Sequence, residues 1–134
     1  MTIQQTYIMI KPDAVLSGKV GRIISRIEDK GYRTIQAKLM TLTADLVKEH
    51  YAHLLDKPFF PKLEAYILSG PVFAMVVEGE CVIEGMRRLM GPTNALEANP
   101  GTIRGDFGKD VTYNAIHGSD SIESAEIEIK RFFG

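Results

Sequence analysis

His117 stands in the run Asn114-Ala115-Ile116-His117-Gly118-Ser119-Asp120, directly before an amphipathic segment. Imidazole is largely neutral near pH 7 and keeps one ring nitrogen with a free lone pair, so it can attack a phosphoryl group without a separate base. A covalent phosphohistidine is therefore chemically accessible, and His117 is the candidate nucleophile. Phosphoryl transfer also needs an in-line geometry and cations that stabilise charge spreading over the phosphate oxygens. Taken alone, a histidine beside glycine and serine is more often a turn or core residue than a nucleophile, so the rest of the chain must decide.

Other chemistry-bearing patterns are weaker. His50 and His53 fall at i, i+3 with Glu49 on one expected helix, which is a possible metal pair, but solvent-facing histidines are the more common outcome and no further ligands converge. Ser17-Gly18-Lys19 faintly resembles a phosphate loop. The glycine that a Walker A motif requires five residues before Gly18 is Asp13, so the segment reads as a surface turn. No GxGxxG fingerprint is present, which disfavours a dinucleotide-binding domain. Cys81 is the single cysteine, leaving no internal disulfide and no CxxC metal pattern, as suits a reducing cytosol.

A chain of 134 residues fits one compact domain, residues 1–134, with a single core. Its 16 basic and 17 acidic side chains create no global field for nucleic acid or an anionic membrane, so strong nucleic-acid binding is not expected and any anion site must be assembled locally. Tyr7 to Ile10 is too short for a signal-peptide core and no later run approaches membrane-spanning length, so the chain reads as soluble and cytoplasmic. No internal repeat, low-complexity tract or linker-like stretch interrupts it.

The elements that must position His117 can be read from periodicity. Thr6 to Ile10 reads as a buried strand ending at Lys11-Pro12. Val20, Ile23, Ile24 and Ile27 follow i, i+3, i+4, i+7, with Gly31 available as the left-handed stop. Ile35, Ala37 and Leu39 alternate with polar residues, as in a strand with one face in the core. Thr43 can cap a helix running through Tyr51 to Leu55, and Pro61 can open a second reaching Leu68, the two forming a hairpin. Val72 to Val77 reads as a strand, and Val82, Ile83, Met86, Leu89 and Met90 as the helix after it, from which Arg87 projects. Ile122, Ala125 and Ile129 mark a last helix, with Asp120 and Glu123 spaced as a capping box and His117 ending the short strand before it. The long stretch from 91 to 113 has weak periodicity but includes Thr93, Arg104 and the Pro100-Gly101 turn, which fits an ordered binding loop. This order suggests an α+β ferredoxin-like sandwich, a four-stranded antiparallel sheet with helices packed on it.

The run around His117 resembles the active-site signature of the nucleoside diphosphate kinases. Four further blocks agree in order and spacing: Lys11-Pro12-Asp13, Pro58-Phe59-Phe60, Ser69-Gly70-Pro71, and Gly101 to Phe107. Glu123-Ser124-Ala125-Glu126 follows the histidine in the same register. The resemblance implies the ferredoxin-like fold with added helices. It also implies ping-pong transfer of the γ-phosphate, chiefly of ATP, to a nucleoside diphosphate through a phosphohistidine on His117, which maintains NTP and dNTP pools.

By the same resemblance Lys11, Arg87 and Arg104 engage phosphate oxygens and the Thr93 hydroxyl donates to the same group. Phe59 stacks on the base, Val111 flanks it, and Asn114 and Lys11 meet the sugar hydroxyls. Tyr51 lies against Lys11 and the histidine, Glu128 orients the imidazole, and Ser119 belongs with the catalytic group. Mg2+ bridges the nucleotide's own phosphate oxygens, with Asp120 reaching it through water. In the family the long loop contributes to subunit packing. Ala95 stands where a proline is common, and the sequence ends at Gly134 soon after the last helix; a homohexamer is the expected assembly, with a homotetramer next. Two other readings stay open: a phosphohistidine phosphatase, in which water takes the group, and a nucleotide-binding regulatory module without useful transfer.

Overall fold

The central strand β1 (Ile3–Ile10) pairs with a strand on each edge, and helices packed on its two faces leave Tyr7 to Ile10 fully buried. The computed structural model describes residues 2–134. Among these, β1, β2 (Arg33–Met40), β3 (Val72–Glu80) and β4 (Ile116–Gly118) form one antiparallel sheet in the order β2-β3-β1-β4. The α-helices are α1 (Pro12–Leu16), α2 (Val20–Asp29), α3 (Ala44–His50), α4 (Phe60–Ile67), α5 (Val82–Met90), α6 (Ile103–Phe107) and α7 (Ile122–Phe133). Strand and helix order follow the ferredoxin-like expectation, with α1, α6 and two 3-10 turns added.

Alternation along the strands sorts side chains into two apolar layers. On one face Ile8, Ile10, Met75 and Val77 meet Ile23 and Ile27 of α2 and Val82, Met86 and Met90 of α5. On the other, Tyr7, Met9, Val72 and Ala74 meet Val47 of α3, Leu63, Tyr66 and Ile67 of α4, and Phe132 of α7. Helices therefore cover both faces of the sheet. His117 pairs with Met9 across the β1–β4 ladder, so alternation turns its ring to the second layer, where it lies 5.9 Å from the Tyr7 ring.

Several expectations need correction. The strand with Ile35, Ala37 and Leu39 exists, but that row is exposed rather than in the core: Ile35 is 38% and Leu39 62% accessible. β2 is the sheet edge, its register shifts between Thr34 and Gln36, and among the described residues nothing covers that apolar row. Thr43 caps α3 by accepting from Leu46 N–H, but the helix stops at His50 and a 3-10 turn spans Ala52–Leu54. The cap of α7 is Ser121, whose hydroxyl accepts from Ser124 N–H, not Asp120, and Ile122 is exposed instead of lying on the buried stripe. β4 runs one residue past His117 to Gly118. There a Cβ would come within 2.7 Å of Met90 Cε and 3.2 Å of Ile8 Cδ1, so a larger residue would require the Met90 side chain to shift. Gly31 follows α2 at φ +89, as a left-handed stop requires.

The stretch from 91 to 113 is ordered by side chains that bond its backbone. Asn94 accepts from Leu96 N–H, Thr102 from Gly105 N–H, and Asp110 from Thr112 and Tyr113 N–H. Ala95 is buried and its N–H donates to Asp110 O at 3.3 Å, a bond that a proline in its place could not make.

Candidate active site

A cleft of about 880 Å3 opens between α3, α7, the ends of β1 and β4, and the loop from 91 to 113. Lys11, Tyr51, Phe59, Arg87, Thr93, Arg104, Val111, Asn114, His117, Asp120 and Glu128 all line it, so residues scattered over the chain converge. Ser119 does not line the cleft. It is buried behind it, and its hydroxyl acts on a residue that does.

His117 Nε2 and Glu128 Oε1 are 2.9 Å apart. An ionised carboxylate only accepts, so the ring proton sits on Nε2 and the Nδ1 lone pair is left free. Ser119 Oγ donates to the same Oε1 at 2.7 Å while accepting from Tyr7 N–H at 3.1 Å, which fixes the direction of its own proton and the rotamer of Glu128. Glu128 occupies this place because it falls three residues after Ala125 and four before Phe132, on the stripe of α7 that faces the sheet. Sequence spacing does not single it out, although a carboxylate inside an apolar stripe is the signal that could have found it.

Lys11 directly follows β1 and is almost fully buried; its Nζ donates to Asn114 Oδ1 at 2.8 Å, and Asn114 Nδ2 donates to Thr93 O at 2.9 Å. Burial, then repulsion from Arg104, pushes the Lys11 ammonium down to about 7, with Asp13 acting the other way. Arg104 anchors the loop: Nη1 donates to Gly91 O at 2.9 Å and Nη2 to Ile116 O at 2.8 Å. Burial, followed by Arg87, lowers its guanidinium to about 10, and its buried Nε finds no partner among the described residues. The same is true of the Tyr51 hydroxyl, which burial and the nearby Glu128 hold in its protonated form.

Arg88 pairs with Glu84 four residues earlier on the exposed side of α5, whereas Arg87 lines the cleft. Phe59 is 52% exposed and Val111 57%, so both stand at the rim with apolar faces open to a flat ring instead of being buried in the core. Asp120 is an exposed carboxylate on the cleft wall. The Ser124 hydroxyl, and less strongly Arg87, hold it below the usual aspartate range, so it is ionised at neutral pH.

His50 departs most from the sequence reading. It is buried, not solvent-facing, and its ring packs at 78° to His117 with centroids 4.7 Å apart; His53 is exposed as expected. Arg131 Nη1 lies 2.9 Å from His50 Nδ1. Because a guanidinium only donates, Nδ1 accepts and the proton of the neutral ring is on Nε2. Burial, then the neighbouring His117 and Arg131, drives the His50 imidazolium far below the ordinary histidine range, so the ring stays neutral. His50, His117 and Glu128 are close enough to share a metal ion, their donor atoms lying within 4.8 Å of one another. Arg131 already occupies one nitrogen of His50 and the other carries the ring proton, so His50 offers no free lone pair to an ion; it meets His117 through an edge-on ring contact. The signal for His50 is its place three residues after Val47 on the buried stripe of α3.

The family model described as nucleoside diphosphate kinase matches residues 4–134 of this chain. The nucleoside diphosphate kinase of Halalkalibacterium halodurans is 56% identical over 131 residues, covering 98% of this chain and 89% of that protein. The corresponding protein of Symbiobacterium thermophilum is 52% identical over 132 residues, covering 98% and 88%. Among solved structures, a nucleoside diphosphate kinase from Halobacterium salinarum in complex with CDP superposes with a TM-score of 0.95 at 48% identity, covering 98% of this chain and 88% of that one.

Proposed function

The chain belongs to the nucleoside diphosphate kinase family, whose reaction moves the γ-phosphate of a nucleoside triphosphate onto a nucleoside diphosphate, and on that premise we propose that His117 carries the phosphoryl group between the two. The observation that supports this most is the bond from His117 Nε2–H to Glu128, which leaves Nδ1 as the nitrogen with a lone pair. In the first half-reaction the Nδ1–P bond forms as the bond from the γ-phosphorus to the bridging oxygen breaks, and the nucleoside diphosphate leaves with that oxygen's electron pair. In the second, a β-phosphate oxygen of another diphosphate attacks and Nδ1 leaves. Glu128 stabilises the positive charge that the ring gains on phosphorylation, and Ser119 holds Glu128.

Lys11, Arg87 and Arg104 supply positive charge to the phosphate oxygens, joined by the Thr93 and Tyr51 hydroxyls. Phe59 offers a π-face to any base, Val111 flanks it, and Asn114 with Lys11 meets the sugar hydroxyls, which gives broad nucleotide tolerance. Mg2+ bound to the nucleotide's phosphates supplies charge neutralisation. The donor set fits that arrangement: Asp120 is an exposed ionised carboxylate on the cleft wall suited to a water-mediated contact, while the other lining carboxylates are engaged, Glu49 lying 3.9 Å from Arg131 and Glu128 bonding His117.

The chain acts as one catalytic domain over residues 1–134 in the cytoplasm; among the described residues no helix is long and apolar enough to cross a membrane. It assembles as a homohexamer, with a homotetramer as the alternative, and the open edge of β2 with its exposed Ile35 and Leu39 supports self-association.

The test is to mix the protein with Mg2+ and γ-labelled ATP, quench in alkali, and map acid-labile label before adding GDP. Label on His117 that chases into GTP is the expected result, and His117→Ala should keep nucleotide binding while losing transfer. Label released only as inorganic phosphate would point to a phosphatase, and no label to a binding module.

A further inference from the structure

Ala115 joins Asn114 to the strand that carries His117, and its φ is +73, a left-handed conformation that a residue with a Cβ rarely adopts. Ile116 N–H donates back to Asn114 O at 2.9 Å, closing a tight three-residue turn of the strained kind around Ala115. Two contacts from the start of the chain pin this turn. Lys11 N–H donates to Ala115 O at 2.8 Å, and Asp13 Oδ2 accepts from Ala115 N–H at 3.2 Å.

Asp13 is itself anchored, because its Oδ1 accepts from the hydroxyl of Tyr66 on α4. Burial, then Asp13, pushes the Tyr66 hydroxyl well above its ordinary range, so it remains a donor. Ala115 is fully buried, which means its N–H has no water to fall back on if the carboxylate is removed.

We infer that Asp13 is a positioning residue: its carboxylate, braced by Tyr66, holds Ala115 in the strained turn and so sets Asn114 against Lys11 and His117 in register on β4. The inference deepens the reading of His117 as nucleophile and rests on it. Asn114 bridges Lys11 Nζ and Thr93 O with the two ends of one short amide, so a turn that relaxed to negative φ would rotate that amide away from at least one of them. The turn is thus a place where local backbone strain is held by tertiary contacts beside the reacting group.

A second route from Asp13 to activity must be separated from this one, since its negative charge also opposes the loss of charge at Lys11. Glycine separates them. It takes positive φ without penalty, so Ala115→Gly relieves the backbone strain that the clamp opposes and leaves both the charge effect and the buried N–H of residue 115 untouched.

The experiment compares wild type, D13A, A115G and D13A/A115G by steady-state kcat and KM and by rapid-quench labelling of His117 from γ-labelled ATP. D13A should lower kcat and the labelling rate by about tenfold, the scale of the left-handed preference it leaves unopposed, with a smaller change in KM. D13A/A115G should recover most of that loss, and A115G alone should stay close to wild type. If D13A does not fold, D13L and D13L/A115G, which also remove the acceptor while filling the space, give the same comparison. A deficit that A115G leaves unchanged, or a D13A enzyme as fast as wild type, overturns the inference. Wild-type label found anywhere but His117 would instead remove the catalytic reading beneath it.

Discussion

Replacing Glu128 with glutamine tests how the nucleophile is prepared. The substitution is nearly isosteric, and the side chains of His117 and Glu128 are only 21% and 14% exposed, so solvent screens their interaction weakly. Glutamine keeps an oxygen that can accept from His117 Nε2–H, but it withdraws the negative charge that stabilises the ring as it becomes a phosphohistidine. A hydrogen bond to a charged partner contributes about 1.5–3 kcal/mol against about 0.5–1.5 for a neutral one, a difference of roughly tenfold in rate.

Orientation of the new amide adds a second effect. Ser119 Oγ accepts from Tyr7 N–H and directs its own proton at the position of Oε1, so it selects the carbonyl end of the introduced amide for that place. Ser119→Ala removes the selection. In E128Q/S119A the amide NH2 can face His117 Nε2 and turn it into an acceptor, which moves the ring proton to Nδ1 and blocks attack. The double variant should therefore lose more than the product of the two single losses. Rapid-quench labelling of His117 gives the rates, and 15N imidazole shifts report the tautomer. A Glu128→Gln enzyme labelled as fast as wild type would refute the charge argument; E128Q/S119A with simple additivity would refute the orientation argument.

Lys11 titrates near neutrality in the free protein, so kcat/KM should fall as pH rises through about 7 while kcat, measured with polyphosphate bound and the charge restored, stays flatter. The unfolded chain keeps this proton up to about 10.5 and the folded one releases it near 7, so the unfolded state binds more protons between them. Thermal stability should rise with pH over that window, and Lys11→Met should lack that contribution; an identical pH slope in both would sink the assignment. Phe59→Ala should raise nucleotide KM by roughly tenfold, from about 1–3 kcal/mol of base stacking, with little change in kcat or Tm because the ring is half exposed. A lowered Tm with unchanged KM would place Phe59 in the core instead. Arg104→Lys leaves the Gly91 and Ile116 carbonyls without their present donors and should cost about 2–4 kcal/mol of stability, read as a lower Tm and faster proteolysis within residues 91–113.

The residues legible in sequence are those whose chemistry depends on type and short-range order: His117 in its run, Lys11 after a strand, and the periodic helices. What escapes depends on which surface covers which. Ile35, Ala37 and Leu39 alternate as a half-buried strand should, yet alternation defines a face and not its partner, and β2 at the edge leaves that face open. Asp120 and Ser121 are adjacent residues with near-equal capping ability, and the backbone places Ser121 at the cap while Asp120 turns to the cleft. Asp13 is visible as part of a motif, but its grip on Ala115 joins residues 102 positions apart and no local pattern encodes it.

His50 and Glu128 show a rule that sequence reading can use. Each lies at helical spacing from buried apolar neighbours, Val47 for His50 and Ala125 and Phe132 for Glu128, where a polar side chain is costly unless bonded. The buried polar residues are Thr6, Lys11, His50, Arg104, Asn114 and Ser119, and all but Thr6 line the cleft or bond to a residue that does. A fold selected for stability alone would fill those stripe positions with apolar side chains. That the desolvated groups gather at one end of the strands, beside His117, marks that end as the place where stability was exchanged for fields strong enough to act on a phosphate. Filling such a site with its anionic ligand should return part of the stability, since Lys11 and Arg104, whose affinity for protons is lowered by burial and by neighbouring cations, then gain an opposite charge.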